Sequence, residues 1–171
     1  MSFRFLTTAI LCLALTGCIL QSKEAVFLDE QGELMLGVYG NRFATYSLDG
    51  GVWKKEEGTI SVTPENNHYV IAESTVAVVI TFAAISGSWW AMQAQEAGKP
   101  VSYSLISAGK DELLLYPLNC GPLRLSGKFN AYISFDGEDC TVKAGADTGA
   151  MFKALAAEPG QSRMKLVPLP R

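Results

Sequence analysis

The run VAVVITFAAI, Val76 to Ile85, followed by Ser86-Gly87 and then SWWAMQAQ, Ser88 to Gln95, decides the fold class. Val76, Val78, Val79, Ile80, Thr81 and Ile85 are β-branched and stiff at χ1, which favours a pleated strand over a helix. The run is also short of the roughly 20 apolar residues that a spanning helix needs. Ser86-Gly87 supplies a turn. The segment after it alternates, with Trp89, Ala91, Gln93 and Gln95 on one face and Trp90, Met92 and Ala94 on the other. A β-hairpin is predicted, and it puts the two adjacent tryptophans on opposite sides of a sheet.

Working outward, the same punctuation repeats. On the N-terminal side, Ala25–Leu28 and Glu33–Tyr39 are short apolar runs, and Arg42–Leu48 alternates up to Asp49-Gly50, a favoured hairpin turn. Lys54-Lys55-Glu56-Glu57 reads as a wet loop. Thr59–Thr63 is β-branched and ends at Pro64, and Glu65-Asn66-Asn67 turns the chain into His68–Ala72. On the C-terminal side, Val101–Ser107 and Glu112–Leu118 flank a turn at residues 108–111. No segment between 25 and 118 has a helical period. The expectation is a mainly β protein: an antiparallel meander of about eight short strands over residues 25–118, curled into a barrel or a sandwich to bury its faces and edges.

Residues 119–171 read differently, as a C-terminal ββα appendage packed on the meander. Asn119–Arg124 is irregular, with Pro122. Phe129–Phe135 and Cys140–Lys143 form a hairpin around Asp136-Gly137. Asp147 or Thr148 caps a helix through Leu155 whose Met151, Phe152 and Leu155 share one face. This is the only helix expected after the leader. Pro159-Gly160 ends it, and Met164–Val167 is read as a last strand.

The N-terminus has the layout of a secretory signal: Arg4, then an uncharged apolar core from Phe5 to Leu15, then small residues. Leu15-Thr16-Gly17-Cys18 resembles the lipobox of bacterial lipoproteins. The resemblance implies that residues 1–17 are a lipoprotein signal peptide, that a diacylglyceryl group is joined to the Cys18 thiol, and that the new amine is acylated, commonly with palmitate. Several acyl chains give stable anchoring where one would be marginal. Residues 18–24 then form a short lipidated tether with little structure of its own. Ile19 stands where an Asp would resemble an inner-membrane retention signal, which favours the periplasmic face of the outer membrane.

Cysteine arithmetic follows from that compartment. Cys12 leaves with the signal and Cys18 takes the lipid, so Cys120 and Cys140 remain as one pair where disulfides persist. They are expected to be bonded. Two buried thiols or half a metal site are the alternatives, the latter with no neighbouring Cys or His.

Removing residues 1–17 from 171 leaves 154, enough for one domain with a sizeable core. Arg4 goes with them, which takes Lys+Arg from 14 to 13 against 17 acids. A net charge near −4 offers nothing to nucleic acid, and no polybasic cluster addresses lipid head groups. The single histidine, His68, has no identifiable triad partner, and neither a G-x-S-x-G elbow nor an S-x-x-K motif is present. Asp136, Glu138 and Asp139 lack the spacing of a Ca²⁺ loop. No cofactor, metal ligand or catalytic residue is assigned. Trp89 and Trp90 are expected foremost to pack in the core, one of them alternatively lying exposed as a partner patch; Trp89, Trp90, Tyr69 and Tyr103 are also candidates for lining an apolar site, as the resemblance of the meander to that of lipocalins allows. The functional expectation is a membrane-anchored cell-envelope lipoprotein. It acts as a non-enzymatic binding or interaction module for another envelope protein, or alternatively as a lipocalin-like carrier of a small apolar ligand. An envelope enzyme with an unfamiliar site is the third reading.

Overall fold

The structure, a computed structural model, describes residues 19–27, 32–33, 35–73 and 76–170. The expected signal peptide and Cys18 lie outside the described residues. The strands are β1 (Gln21–Ser22), β2 (Arg42–Asp49), β3 (Val52–Ser61), β4 (Thr63–Glu65), β5 (His68–Glu73), β6 (Val76–Ser86), β7 (Trp89–Glu96), β8 (Val101–Ala108), β9 (Leu113–Pro117), β10 (Ile133–Asp136), β11 (Asp139–Val142) and β12 (Met164–Pro168). The helices are α1 (Cys120–Ser126) and α2 (Thr148–Ala157), and a 3₁₀ turn covers Met35–Val38.

The main sheet runs β3-β2-β12-β9-β8-β7-β6-β5-β4, antiparallel throughout. Its two edge strands, β3 and β4, are consecutive in sequence and meet at Val62, whose N–H donates to the Asn41 carbonyl at 2.9 Å. A sheet whose ends join through one residue cannot lie flat, and it curls into a half-barrel. The mainly β antiparallel architecture is therefore the one expected.

The strand alternation sorts side chains to two cores. Inside the curl, Phe43, Ile60, Tyr69, Ile80, Phe82, Ile106, Leu113 and Leu115 pack together under Met35 and Leu36 of the 3₁₀ turn. Outside it, Val101, Tyr103, Leu105 and Ala91 meet Met151, Phe152 and Leu155 of α2, with Cys120, Leu123, Phe129 and Ile133. The central strands thus have apolar partners on both faces, which is why β6 and β8 read as nearly continuous apolar runs. Asp147 caps α2 through its Oδ1, which accepts from Ala150 N–H at 2.9 Å. The expected disulfide is present: Cys120 at the start of α1 is bonded to Cys140 on β11, with Cα atoms 5.4 Å apart.

Several expectations need correction. Asn119–Arg124 is not irregular: α1 occupies Cys120–Ser126, so there are two helices where one was expected. Pro122 falls in the first turn, where its missing N–H would be without an intrahelical partner anyway, and Gly127 closes the helix at φ 65°. Within the expected strand Glu33–Tyr39, Met35–Val38 form a 3₁₀ turn. Lys54–Glu57 belongs to β3, an edge strand whose charges guard it against pairing with another chain. The β2–β3 turn is centred on Gly50-Gly51, both at positive φ, one residue later than Asp49-Gly50. The last strand is not an appendage: β12 lies between β2 and β9 in the middle of the sheet.

The largest departure is at the N-terminus. The segment read as a loose tether is built in. Ile19 is 6% exposed and Leu20 fully buried. Ile19 bridges Asn119, Leu20 N–H donates to the Leu118 carbonyl at 2.7 Å, and Leu20 C=O accepts from Tyr103 N–H at 3.0 Å. β1 pairs antiparallel with β8 on one side and parallel with β11 on the other, so it joins the disulfide-tied hairpin to the main sheet.

Candidate functional site

The four aromatic candidates do not form one site. The sheet stands between them, as strand alternation dictates. Trp89 and Tyr103 belong to the outer core, Trp90 and Tyr69 to the inner one. Trp89 packs its ring against Tyr116, centroids 5.0 Å apart, and Trp90 faces the inside of the curl. Trp53, on β3, is elsewhere again: Lys165 Nζ sits 5.2 Å from its ring and 5.1 Å from that of Tyr46.

Tyr69 is 2% exposed, and its hydroxyl has no hydrogen-bond partner in good geometry. Burial pushes its pKa up, partly offset by the N–H groups of Gly37 and Leu36 in the 3₁₀ turn above it. Tyr103 is the organising polar group of the outer core. Its hydroxyl lies 2.6 Å from Ser22 Oγ and accepts from Val26 N–H at 3.2 Å. Burial again raises its pKa, with Ser22 and Val26 acting the other way.

Beside it stands a residue that sequence reading did not single out. Gln93, 4% exposed on β7, accepts from the N–H groups of Val26 and Phe27, each at 3.0 Å, and donates to the Phe27 carbonyl at 3.3 Å. Residues Lys23 to Phe27 form no strand, so their backbone groups need side-chain partners, and Gln93 and Tyr103 provide them. The one available signal was a glutamine on the Trp89 face of a largely apolar hairpin, next to Ala91.

The strap held this way borders two open troughs that share Val26 and Thr148. One, about 590 Å³, has an apolar floor of Phe27, Ala83, Ile85, Ala91 and Phe152, with Asp147 and Lys153 at the N-terminal end of α2. The other, about 580 Å³, lies between Ser22–Val26 and Thr141–Ala146, with Lys23, Glu24 and Lys143 at its rim. Small side chains make the floor: Ala83 and Ala91 are paired across β6 and β7. This chemistry suits contact with an apolar side chain or an extended segment; neither trough is lined by His or Cys.

His68 opens β5 directly after the Asn66-Asn67 turn, with Nε2 3.9 Å from Glu65 Oε2. Asp136, Glu138 and Asp139 are exposed at the β10–β11 hairpin tip. Among the described residues no three His, Cys, Asp or Glu side chains gather to hold a metal ion, and no helix is long and apolar enough to cross a membrane.

Comparison with protein families, with curated proteins and with solved structures finds no match to this chain.

Proposed function

We propose that the protein is a lipid-anchored component of the bacterial cell envelope, lipidated at Cys18 and acting as a non-enzymatic interaction module. One observation supports this reading most directly. The residue that follows the lipobox cysteine, Ile19, is already buried and bridged to Asn119, and Leu20 after it is wholly enclosed. A chain cut before Cys18 would carry its acylated residue one peptide bond from a residue built into the fold. The Cys120–Cys140 disulfide suits an oxidising compartment outside the cytosol.

The two troughs beside the strap are the surfaces best shaped for another envelope protein. They are open, apolar at the floor and rimmed by both charge signs. The carrier reading has less support, because the aromatic residues offered for it are divided between two cores.

The test is the mass of the N-terminal peptide of the protein made in a Gram-negative host. A diacylglyceryl-modified Cys18 at the new terminus is expected, and Cys18→Ser is expected to abolish both the modification and membrane association. An unmodified thiol with residues 1–17 still attached would reject the reading. For the interaction, Ala84→Arg at the exposed rim of the first trough is expected to lower recovery of cross-linked envelope partners while leaving stability unchanged.

A further inference from the structure

We infer that the exposed face of α1, centred on Leu125, is the surface by which the folded body rests on the lipid bilayer. This rests on the lipidation of Cys18 proposed above and adds to it an orientation.

The argument starts from chain length. Cys18 is one peptide bond from Ile19, so their Cα atoms are about 3.8 Å apart. Ile19 is not free to swing: it is buried, and it is bridged to Asn119, the residue that precedes α1. No slack remains between the lipid and the body. Whatever surface surrounds Ile19 must therefore lie at the bilayer, and α1 begins one residue from the bridge. Leu125 is six residues beyond Asn119, roughly 9 Å along a helix axis.

The character of α1 agrees. Leu125 is 89% exposed, more than Val38 at 83% or Val52 at 63%, the other large apolar side chains so exposed among the described residues. Pro122 is exposed three residues before it and so shares its face, while Leu123 and Cys120 turn inward to the outer core. The nearby cations are drawn aside. Arg124 donates to the Gly137 carbonyl and stacks over Phe135 at 5.5 Å, and Lys128 bonds Glu158 at 2.6 Å. What remains outward on α1 is a small apolar face with charge of both signs at its margin, because Gly137 sits in the hairpin tip between Asp136 and Glu138 and Glu158 is paired with Lys128; such a face suits the boundary between lipid head groups and acyl chains. One leucine is too small to hold a protein there alone, which is why the anchor matters.

The orientation leaves the first trough accessible, while the second, lined from Ser22 onward, lies nearer the anchor. The first lies at the N-terminal end of α2, whereas Lys128 after α1 pairs with Glu158 at the opposite end. Ten residues of α2, about 15 Å of helix, separate the two.

Hydroxyl-radical footprinting tests this on the native chain. The lipidated protein is reconstituted in vesicles of phosphatidylethanolamine with a minority of phosphatidylglycerol, and Cys18→Ser protein is mixed with the same vesicles. Oxidation of Leu125 is measured against that of Val38 and Val52, which normalise for scavenging by lipid. A several-fold drop at Leu125 in the lipidated sample alone is expected. An unchanged ratio, or protection at Val38 or Val52 instead, would overturn the orientation while the lipid on Cys18, read from the same sample by mass, stands. An N-terminal peptide without lipid would reject both.

Discussion

The Gln93 side chain holds the Phe27 backbone at both its polar groups: Oε1 accepts from Phe27 N–H at 3.0 Å and Nε2 donates to Phe27 C=O at 3.3 Å. A single carboxamide thereby replaces a β-ladder for the strap that leads out of β1. Gln93→Leu fits the space but leaves the Phe27 amide and carbonyl without their partners and the Val26 amide with the Tyr103 hydroxyl alone. Each such group costs about 1–3 kcal/mol if it stays buried, and part of the strap can lift to water. A net loss of about 2–4 kcal/mol in urea unfolding is expected. Amide exchange at Val26 and Phe27 should accelerate well before that of β7 and β8.

Two buried tyrosines should answer the same substitution in opposite ways. Tyr103 loses its contacts with Ser22 and Val26 when the hydroxyl is removed, so Tyr103→Phe should cost about 1–2 kcal/mol. No hydrogen bond of good geometry reaches the buried Tyr69 hydroxyl, which only the N–H groups of Gly37 and Leu36 approach, so Tyr69→Phe gives up little. Its stability should be unchanged or up to about 1 kcal/mol higher. Equal losses for both would show that the Tyr69 hydroxyl is satisfied after all.

How much of this was legible beforehand depends on the range of the cause. The β6–β7–β8 core could be read because alternation and turn residues act locally: Trp89 and Trp90 face opposite cores because strand neighbours must. The Met151, Phe152 and Leu155 stripe was legible for the same reason. Three things were not. α1 contains Gly121 and Pro122, which read as breakers until the chain is seen to enter the helix at Cys120. β3 carries Lys54–Glu57, whose polarity reflects an edge position that only sheet order reveals. The pairings of β12 with β2 and of Ile19 with Asn119 span a hundred residues or more, with no periodic signal. Of the candidate site, Tyr69 and Tyr103 are buried and Trp89 and Trp90 half-buried, yet the sheet divides the four, and the residue that shapes the strap is Gln93.

Alkaline pH should destabilise the fold through the same tyrosines. Burial raises the pKa of both Tyr69 and Tyr103 above the ordinary value of 10.0. Above that value the unfolded chain releases protons that the native state still holds. The native state then binds more protons, so the free energy of unfolding falls with rising pH. This contribution is fully present below about pH 10 and is lost as pH climbs through the raised native values. The double variant Tyr69→Phe with Tyr103→Phe should show a shallower alkaline slope than the parent in denaturant midpoints measured across that range. An identical slope would mean that other groups, such as lysines, carry the whole effect.

Removing the disulfide should loosen one part of the molecule before the rest. Cys120 and Cys140 are 20 residues apart, and closing such a loop contributes about 3 kcal/mol in the chain-entropy model. Replacing both by Ala, to leave no odd thiol, should therefore lower stability by about 2–4 kcal/mol. The location matters more than the sum. Cys140 is on β11, which holds one side of β1, while β8 holds the other. Without the bond, β10 and β11 keep their mutual pairing, the short contact with β1, the Arg124 contacts to Gly137 and Phe135, and the packing of Phe129 and Ile133. Hydrogen exchange should then show β1, β10 and β11 opening at low denaturant while β5 to β8, with partners on both sides, stay protected. In the lipidated protein that opening would release Ile19 from Asn119 and restore slack between anchor and body, so Leu125 should regain oxidation in vesicles. Uniform loss of protection across all strands would instead mean that the hairpin and the sheet unfold as one unit.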